Sequence, residues 1–487
     1  MNGEKKRRSL PPILLDITVA TMSSLTAAVS VLVVTKIITT AFTQEEFGNY
    51  ATARSIALAL VPIATGCLQI AVTRYASSEG ERRKVQTAAA QLFVVSSLIT
   101  VFVFVFVSGC FQQSMADYVV GMAVLLLGHA SLRLYTSIAR TNYKAIYSSL
   151  VLAFFLGVVP IVCALLFLNV STAAILFSTG LFTCLCFFPI SKMAINKIVD
   201  SRDSYATLIK YSAPRVPAGF FRAGIFTVCV AAPGIAGSPT VAANVALALY
   251  LFRLIEVLLG GFSNVALHRT AYAYSAKGEE FIESTTRLIV SFTMYCGLFA
   301  TFQLLILSPL FITAWVGKNY SEASIALQLI SLVTIPYLLF VLLRSVIDAV
   351  EEKAPNTTYL GISFIVACLG AVAAFALDGG EVAFASTFIA SITCLGALNL
   401  RYFVKSFGLS IDPGDTIRAA LLNSLVAICS ISIVEFLPKL GLTNHVAVIA
   451  ITGLGSGFVF LTGLVIVKPI WFENIITRVQ QLTPTSN

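Results

Sequence analysis

Long apolar runs, separated by short polar breaks, follow one another along almost the whole chain. Each run reaches the roughly 20 residues that an α-helix needs to cross a hydrocarbon layer about 30 Å thick. The breaks hold the polar, charged and glycine residues that end helices. The pattern therefore predicts an all-α polytopic membrane protein with fourteen spans, at residues 13–42, 47–72, 85–108, 117–137, 145–168, 171–192, 206–233, 240–267, 287–314, 323–349, 357–377, 382–400, 416–437 and 443–467.

Composition supports a membrane protein. Of the 487 residues, 57% are hydrophobic and only 11% are charged, and the mean hydropathy is +0.90. A soluble domain carries roughly 25% charged residues, because its surface needs polar cover. The ten cysteines fall mostly inside apolar runs, so neither a disulfide framework nor a zinc site is predicted.

Basic residues are concentrated in every second polar break along the chain. With the basic start (Lys5 to Arg8) placed inside, 23 of the 32 Lys and Arg residues lie in inside segments or at the inner ends of the adjoining spans, two lie in outside segments and seven lie deeper within spans. Cytoplasmic loops of membrane proteins carry this excess. The chain is therefore predicted to have an even number of spans and both termini in the cytoplasm. We refer below to the predicted inner and predicted outer ends of the spans.

A weak internal repeat suggests how the spans are grouped. Residues 66–93 resemble residues 261–290, each with a helix end, an arginine, a polar turn with glycine and a charged entry to the next helix. The offset of about 195 residues corresponds to six spans. This predicts two six-helix lobes, at 1–200 and 201–407, and a terminal pair of helices at 408–487.

Signatures of enzymes are missing from the sequence. It has no P-loop, no GxSxG, no HExxH and no DxD. The predicted outer loops do not exceed about ten residues, which leaves no external catalytic domain. No catalytic residue, metal site or cofactor is predicted. The net charge of +9 follows from the cytoplasmic loops, so no nucleic-acid partner is predicted either.

Ionisable groups inside the spans are the candidate functional residues. A charge at the bilayer centre costs roughly 2.5–3.5 kcal/mol, so such groups face a cavity, a partner or a substrate. Their net sign is positive, and arginine binds phosphate oxygens in a bidentate manner. We expect a cationic cavity that binds a pyrophosphate, with these candidate substrate-binding residues: Lys36, Arg54, Arg215, Arg222 and Arg253.

Other intramembrane features have two interpretations each. Glu256 either pairs with Arg253, three residues away, or binds a proton or cation that couples transport. Arg133 and the Arg344–Asp348 pair are interpreted as snorkelling or internally paired groups. The prolines at 214 and 217 predict a bend in the seventh span, which serves either as a hinge or as a static kink.

Three stretches carry a family resemblance. They are TTAFTQEEFGNYATARSI (39–56), YSAPRVPAGFF (211–221) and SPLFITAWVGKNYSEASIALQLISL (308–332). Their order and helix positions resemble the polysaccharide transporter (Wzx-type O-antigen flippase) branch of the multidrug/oligosaccharidyl-lipid/polysaccharide (MOP) exporter superfamily. The resemblance implies two lobes around a cationic cavity and alternating access. It also implies that undecaprenyl-pyrophosphate-linked oligosaccharide is flipped across the membrane.

The implied partners are this lipid-linked oligosaccharide and the membrane lipids. H⁺ or Na⁺ as coupling ion, and contacts with glycan polymerase partners, stay open. One alternative is a cation-coupled drug or metabolite exporter of the related MATE type, whose cavity would be expected to be acidic. The other is a membrane-embedded glycan polymerase or ligase, which the short outer loops disfavour.

Overall fold

The computed structural model describes residues 12–76, 79–108, 113–142, 145–195, 202–257, 279–350, 355–409, 412–469 and 471–472. Within these ranges every regular element is helical: α1 Pro12–Ala41, α2 Gln44–Ala64, α3 Leu68–Tyr75, α4 Glu79–Ser108, α5 Gln113–Ala116, α6 Val119–Thr141, α7 Ala145–Ala153, α8 Val159–Leu166, α9 Thr172–Thr183, α10 Phe187–Ile195, α11 Arg202–Ser212, α12 Val216–Ile235, α13 Pro239–Val257, α14 Glu279–Trp315, α15 Glu322–Ser331, α16 Thr334–Val350, α17 Pro355–Ala376, α18 Glu381–Phe407, α19 Pro413–Lys439 and α20 His445–Val467.

These helices confirm the predicted all-α membrane fold. Twelve helices in the described ranges are long and apolar enough to span a membrane, and two bent pairs raise the number to fourteen. Large apolar side chains cover the outer surface, as Phe102 and Phe106 of α4 do at 73% and 80% exposure. Small polar side chains such as Ser97, Thr293 and Ser363 are instead fully buried. This distribution suits a lipid solvent, in which polar groups need partners inside the protein.

Two spans predicted as continuous helices are broken. The second span bends by 41° between α2 and α3, and the tenth bends by 55° between α15 and α16. At the first break, Gly66 and Cys67 adopt left-handed φ angles of 55° and 53°. Glycine adopts that conformation at little cost, and Pro62 one turn earlier weakens the backbone ladder. Helical spacing predicts that Arg54, Thr65 and Gln69 share one face of a continuous second span, but the break between α2 and α3 interrupts that face.

The seventh span is interrupted where its prolines predict. A 3₁₀ turn at Ala213–Arg215 separates α11 from α12. Packing also changes there, because α11 lies against α3 and α4 whereas α12 lies against α2 and α17. Tyr211, at the end of α11, has the guanidinium of Arg74 on its ring at 4.8 Å and that of Arg215 at 3.9 Å.

Helices α2 and α12 pack along their whole lengths. A Cβ on Gly234 would lie 2.0 Å from Thr52 Oγ1, and one on Gly219 would lie 2.8 Å from Pro62 Cβ. Between these contacts, Thr227 Oγ1 donates a hydrogen bond to the Ser55 carbonyl at 3.1 Å. Glycine therefore lets the two backbones approach closely, as small residues do at helix interfaces in membranes. This seam joins the first six spans to the later ones.

A polar group ties four helices together at the predicted outer end. The side chain of Asn244 in α13 is fully buried, and its Oδ1 accepts a hydrogen bond from Gln44 Nε2 of α2 at 2.9 Å. Its Nδ2 donates to Glu322 Oε2 of α15 at 3.2 Å and to Glu381 Oε1 of α18 at 2.9 Å. We call Gln44, Asn244, Glu322 and Glu381 the outer node. Beside it, Gly48 faces the Pro239 carbonyl.

The last two helices pack on α14 through polar contacts as well as apolar ones. Asp415 Oδ1 in α19 accepts a hydrogen bond from Tyr295 Oη of α14 at 3.0 Å. Farther along, Gln303 Nε2 donates to Ser430 Oγ at 2.9 Å. Phe299 of α14 stacks on Phe460 of α20 with ring centroids 4.6 Å apart. These contacts fix α19 and α20 to one side of the helical bundle.

Candidate functional site

An aromatic cluster positions the charged groups in the middle of the later spans. Phe226 of α12 and Phe252 of α13 each contact both Tyr337 of α16 and Phe388 of α18, and the ring centroids of these four pairs lie 5.0–5.8 Å apart. Aromatic pairs at such distances fix the relative positions of their helices. Arg222 precedes Phe226 by one turn, and Glu256 follows Phe252 by one turn. The aromatic cluster thus brings the side chains of Arg222 and Glu256 to the same depth in the helical bundle.

Glu256 is bound from two neighbouring helices. Its Oε1 accepts a hydrogen bond from Arg222 Nη2, and its Oε2 accepts one from Tyr337 Oη. The predicted partner, Arg253, is not the residue that forms this ion pair. The guanidinium of Arg253 instead lies over the Phe226 ring, 4.1 Å from its centroid. Helical spacing had suggested the partner three residues away, but the contact comes from the adjacent helix.

Arg253 retains an unused donor. Its Nε is buried and has no hydrogen-bond partner in the described part of the chain. A buried donor without an acceptor is costly, by about 1–3 kcal/mol, and more for a charged group. An anion that reaches Arg253 would relieve this cost.

Arg54 lies across the seam from these groups. It belongs to α2, and its guanidinium faces the Tyr250 ring of α13 at 5.6 Å from the centroid. It interacts electrostatically with the hydroxyls of Tyr250 and Tyr50. It also acts on His129 of α6, together with Arg133. Arg54 therefore links the charges of the first six spans to those of the later ones.

The arginines of both groups of helices lie within electrostatic range of one another. Arg222 interacts with Arg344, Arg253 and Arg133, and Arg253 interacts with Arg54. We call Arg54, Arg133, Arg222, Arg253 and Arg344 the arginine cluster; these five come from α2, α6, α12, α13 and α16. Among the described residues, the carboxylate paired with the cluster is that of Glu256. Arg54, Arg133, Arg222 and Arg253 therefore outnumber the one paired carboxylate in the part of the chain that the structure describes.

Two of the predicted site residues lie apart from this cluster. Arg215 lies in the 3₁₀ turn of the seventh span, where its Nη1 donates to the Tyr211 carbonyl at 2.9 Å. The turn also breaks the face that a seven-residue spacing would have shared with Arg222. Lys36 is an exposed residue of α1, and no interaction with the cluster arginines is found for it in the described ranges. Gly260 and Asn264, predicted to extend the Arg253 face, lie outside the described residues.

Two arginines of the cluster, and the tyrosine that binds Glu256, are not among the site residues predicted from the sequence. The sequence favours a snorkelling or internally paired Arg133 and a pair of Arg344 with Asp348, whose side chain lies outside the described residues. Tyr337 was not considered, because a tyrosine in an apolar run resembles ordinary core. The available signal is the charge itself, since both arginines lie within predicted spans, although nearer to the predicted inner ends than Arg222 and Arg253 do.

The arrangement suits the binding of a multiply charged oxyanion. Guanidinium groups donate pairs of hydrogen bonds to phosphate oxygens and stay charged in apolar surroundings. Aromatic rings beside Arg54 and Arg253 supply cation–π contacts that hold the side chains in place. No group of three or more His, Cys, Asp or Glu side chains suited to a metal occurs in the described ranges.

The fold is similar to that of transporters of the MOP superfamily. The lipid II flippase MurJ, in an inward closed conformation, matches with a TM-score of 0.66 and 16% identity over 95% of this chain and 100% of that one. An inward-facing MATE-family multidrug resistance transporter of the MOP superfamily matches with a TM-score of 0.65 and 12% identity, over 81% and 98% of the two chains.

A third solved structure is a MOP superfamily transporter from Pyrococcus furiosus, described by the reverse polarity of its binding pocket. It matches with a TM-score of 0.59 and 11% identity, over 81% of this chain and 95% of that one. The sequence matches no protein-family model and no curated protein sequence. At these identities the likeness establishes the fold, and the related structures are those of transporters.

Proposed function

We propose that this chain is a flippase that moves undecaprenyl-pyrophosphate-linked oligosaccharide, an O-antigen or similar repeat unit, across the bacterial inner membrane. The pyrophosphate binds to the arginine cluster between two six-helix lobes. Movement of the lobes about the α2–α12 seam then exposes this cluster to each side of the membrane in turn. The flippase fold and the resemblance of the three sequence motifs support the same assignment.

The observation that carries this proposal is the excess of four cations of the cluster, Arg54, Arg133, Arg222 and Arg253, over the one paired carboxylate in the described part of the chain. Like charges held together inside a membrane repel one another, and each also costs free energy to desolvate. A diphosphate supplies several anionic oxygens, which offset the repulsion and accept hydrogen bonds from the fixed guanidinium groups. Arg253 in particular offers a buried Nε donor without a partner in the described part of the chain.

Glu256 gives the site a means of coupling. In the structure its carboxylate pairs with Arg222 and accepts a hydrogen bond from Tyr337. A phosphate that binds Arg222 competes with this carboxylate and releases it. The released carboxylate takes up H⁺ or Na⁺, so that binding of the anion and binding of the coupling ion are linked. Which of the two ions is used follows from the ion gradient that drives transport.

The second candidate function is cation-coupled export of drugs or metabolites. Solved MATE transporters share the fold, and this alone favours it. A receptor for cationic drugs needs uncompensated acidic groups, whereas the acid at this site is already paired with Arg222. The charge balance of the arginine cluster therefore favours an anionic substrate.

The test is transport by purified protein in proteoliposomes that contain lipid-linked oligosaccharide, together with surface-glycan display in a strain without its own flippase. We expect Arg54→Ala, Arg222→Ala and Arg253→Ala each to lower both readouts, because each removes one cation of the cluster. Lysine at the same positions keeps the charge and is expected to retain much of the activity.

The matched control is Arg287→Ala. Arg287 lies at the predicted inner end of α14, is exposed and pairs with Glu283 at 2.8 Å, four residues away. This variant also removes one arginine, but Arg287 lies outside the cluster, so we expect normal transport. Normal transport by all three cluster variants at equal expression would contradict the proposal. Export of cationic drugs that is unaffected by the cluster variants would favour the MATE-type alternative instead.

A further inference from the structure

A second basic site lies between α17 and α18, at the predicted inner end of both helices and away from the arginine cluster. It is a cleft of about 490 Å³, lined by Tyr359 at the start of α17 and by five residues near the end of α18: Leu398, Arg401, Tyr402, Lys405 and Ser406. We call these six residues the basic cleft. None of them contributes to the proposed translocation site.

The chemistry of the cleft is that of an anion site at a membrane surface. Arg401 and Lys405 are four residues apart, so they lie on one face of α18, and both are exposed. Neither forms an ion pair with another residue that the structure describes. The Tyr359 and Tyr402 rings, with centroids 6.4 Å apart, form one wall. Arg401 and Lys405 are therefore available to bind a ligand from outside the protein. The two tyrosine rings form one side of the space that this ligand would occupy.

Lipid-facing surface begins directly below the cleft. Leu398 lies on the membrane side of the two cations, one turn from Tyr402 and Arg401. On α17, Tyr359 is followed at helical spacing by a stripe of exposed apolar residues: Ile362, Ile365, Leu369 and Val372. A ligand with a charged head and a long apolar tail fits both surfaces. A free inorganic anion would contact only the basic cleft and not the apolar stripe of α17.

We propose that the basic cleft binds the phosphodiester headgroup of an anionic phospholipid, with an acyl chain along the exposed stripe of α17. Basic clefts between membrane helices on the cytoplasmic side attract such headgroups, because that leaflet carries a negative surface potential. Tyrosine is suited to this depth, since its ring contacts the acyl region and its hydroxyl reaches the headgroups. The site would hold a resident lipid beside α17, which itself packs against α12.

The experiment uses full-length protein reconstituted into vesicles of phosphatidylethanolamine with a minority of phosphatidylglycerol. The protein is then extracted with its bound lipid, and retained lipids are counted by native mass spectrometry. We expect the wild type to retain phosphatidylglycerol in excess of its share of the bilayer. Arg401→Gln with Lys405→Gln should lower this excess by about fivefold for each cation removed, as expected near an anionic surface. Arg401→Lys with wild-type Lys405 should retain it.

The matched control replaces two other exposed cations of the predicted inner end, Lys192→Gln with Lys210→Gln. They lie on α10 and α11, away from the cleft, and their removal should leave the excess unchanged. An equal loss in the control would overturn the proposal, because the whole basic surface would then be responsible. An unchanged excess in the cleft variant would also overturn it. So would retention of inorganic phosphate by the wild type with no preference for phosphatidylglycerol, which would indicate a free-anion site.

Discussion

The outer node and the arginine cluster are two polar regions at which the early and the late spans meet. In the outer node, one buried amide accepts from Gln44 and donates to two carboxylates, so every polar group of Asn244 has a partner. In the cluster, Arg54, Arg133, Arg222 and Arg253 outnumber one paired carboxylate, and the Nε of Arg253 has no acceptor in the described part of the chain. The first region is complete by itself, and the second lacks anions.

This difference separates two ways in which a polar contact is used inside a membrane. A neutral amide between carboxylates is satisfied when the helices come together, so it stabilises the closed outer end without any ligand. A group of like charges is stabilised only by something that arrives from outside. The outer node is therefore a structural contact, whereas the cluster has the binding role proposed above. The following changes act on one region or the other.

The largest effect is expected from Arg222→Ala, which removes one partner of the Glu256 ion pair. Loss of one member of a buried pair costs about 3–5 kcal/mol. The two side chains are 33% and 24% exposed, so solvent lowers the expected loss of stability to about 2 kcal/mol. Thermal unfolding in detergent measures this change, and transport in proteoliposomes should fall at least about tenfold.

Arg222→Ala combined with Glu256→Gln separates stability from transport. The double variant no longer leaves a partly buried carboxylate without its cation, so its unfolding temperature should recover. Transport should stay low, because the phosphate-binding guanidinium is still missing. Recovery of transport together with stability would mean that Arg222 serves only to neutralise Glu256.

The next effect is expected from Gly48→Ala at the predicted outer end. A Cβ at this position would lie 1.8 Å from the Pro239 carbonyl oxygen, a backbone atom that cannot rotate away. Such overpacking costs about 1–3 kcal/mol and should separate α2 from α13. Hydrogen-exchange mass spectrometry should then show faster exchange in peptides that cover residues 44–53 and 239–248.

Gly380→Ala is its matched control. Gly380 precedes α18 at the same end, has no atom within 4 Å of the added Cβ, and has a negative φ of −77°. Exchange and unfolding temperature should stay at wild-type values. If Gly48→Ala also left both unchanged, the close approach of α2 to α13 would not contribute to the closed outer end.

A smaller effect is expected from Asn244→Ala, which removes the amide of the outer node. Glu322 and Glu381 then lose their shared donor, and unsatisfied groups of this kind cost about 1–3 kcal/mol. Because Glu322 is exposed to solvent, water replaces part of the lost contact and the cost should be near 1 kcal/mol. Gln44→Ala, which breaks one of the three hydrogen bonds, should cost less still. Unfolding temperatures of the two variants, compared side by side, check this order.

The helix pattern was predictable because the bilayer imposes it. Apolar run length fixes the number of spans, and their ends agree with the structure to within a few residues for most helices, as at 443–467 against His445–Val467. The breaks at Gly66–Cys67 and at Leu332–Val333 were not predicted. The local sequence determines the average hydropathy of a span. A break in its helix depends instead on a few backbone torsion angles and on the residues that pack beside them.

The site was predictable only in part for a related reason. Charges inside spans identified Arg54, Arg222 and Arg253 as candidates, because a bilayer penalises each of them individually. The interaction partners of these arginines depend on which helices are neighbours in the fold, and the sequence alone does not show which helices those are. Glu256 was therefore assigned to Arg253 on its own helix, although Arg222 and Tyr337 reach it from α12 and α16. Arg133 and Arg344 were likewise separated from a cluster that only the packing reveals.

The smallest effect is expected from Lys36→Gln, and this variant tests whether depth in the membrane or membership of the cluster determines function. Lys36 was predicted as a binding residue from its depth alone. Its side chain is exposed on α1, a helix that packs mainly on α7 and α8. An exposed substitution away from a cluster typically changes stability by less than about 0.5 kcal/mol, and transport should change less than about twofold. Arg54→Gln, which also neutralises one intramembrane cation of the first two spans, provides the comparison in the same proteoliposome assay. If Lys36→Gln impaired transport as strongly as Arg54→Gln, the binding region would extend beyond the arginine cluster to α1. The cationic binding region would then include the first span as well.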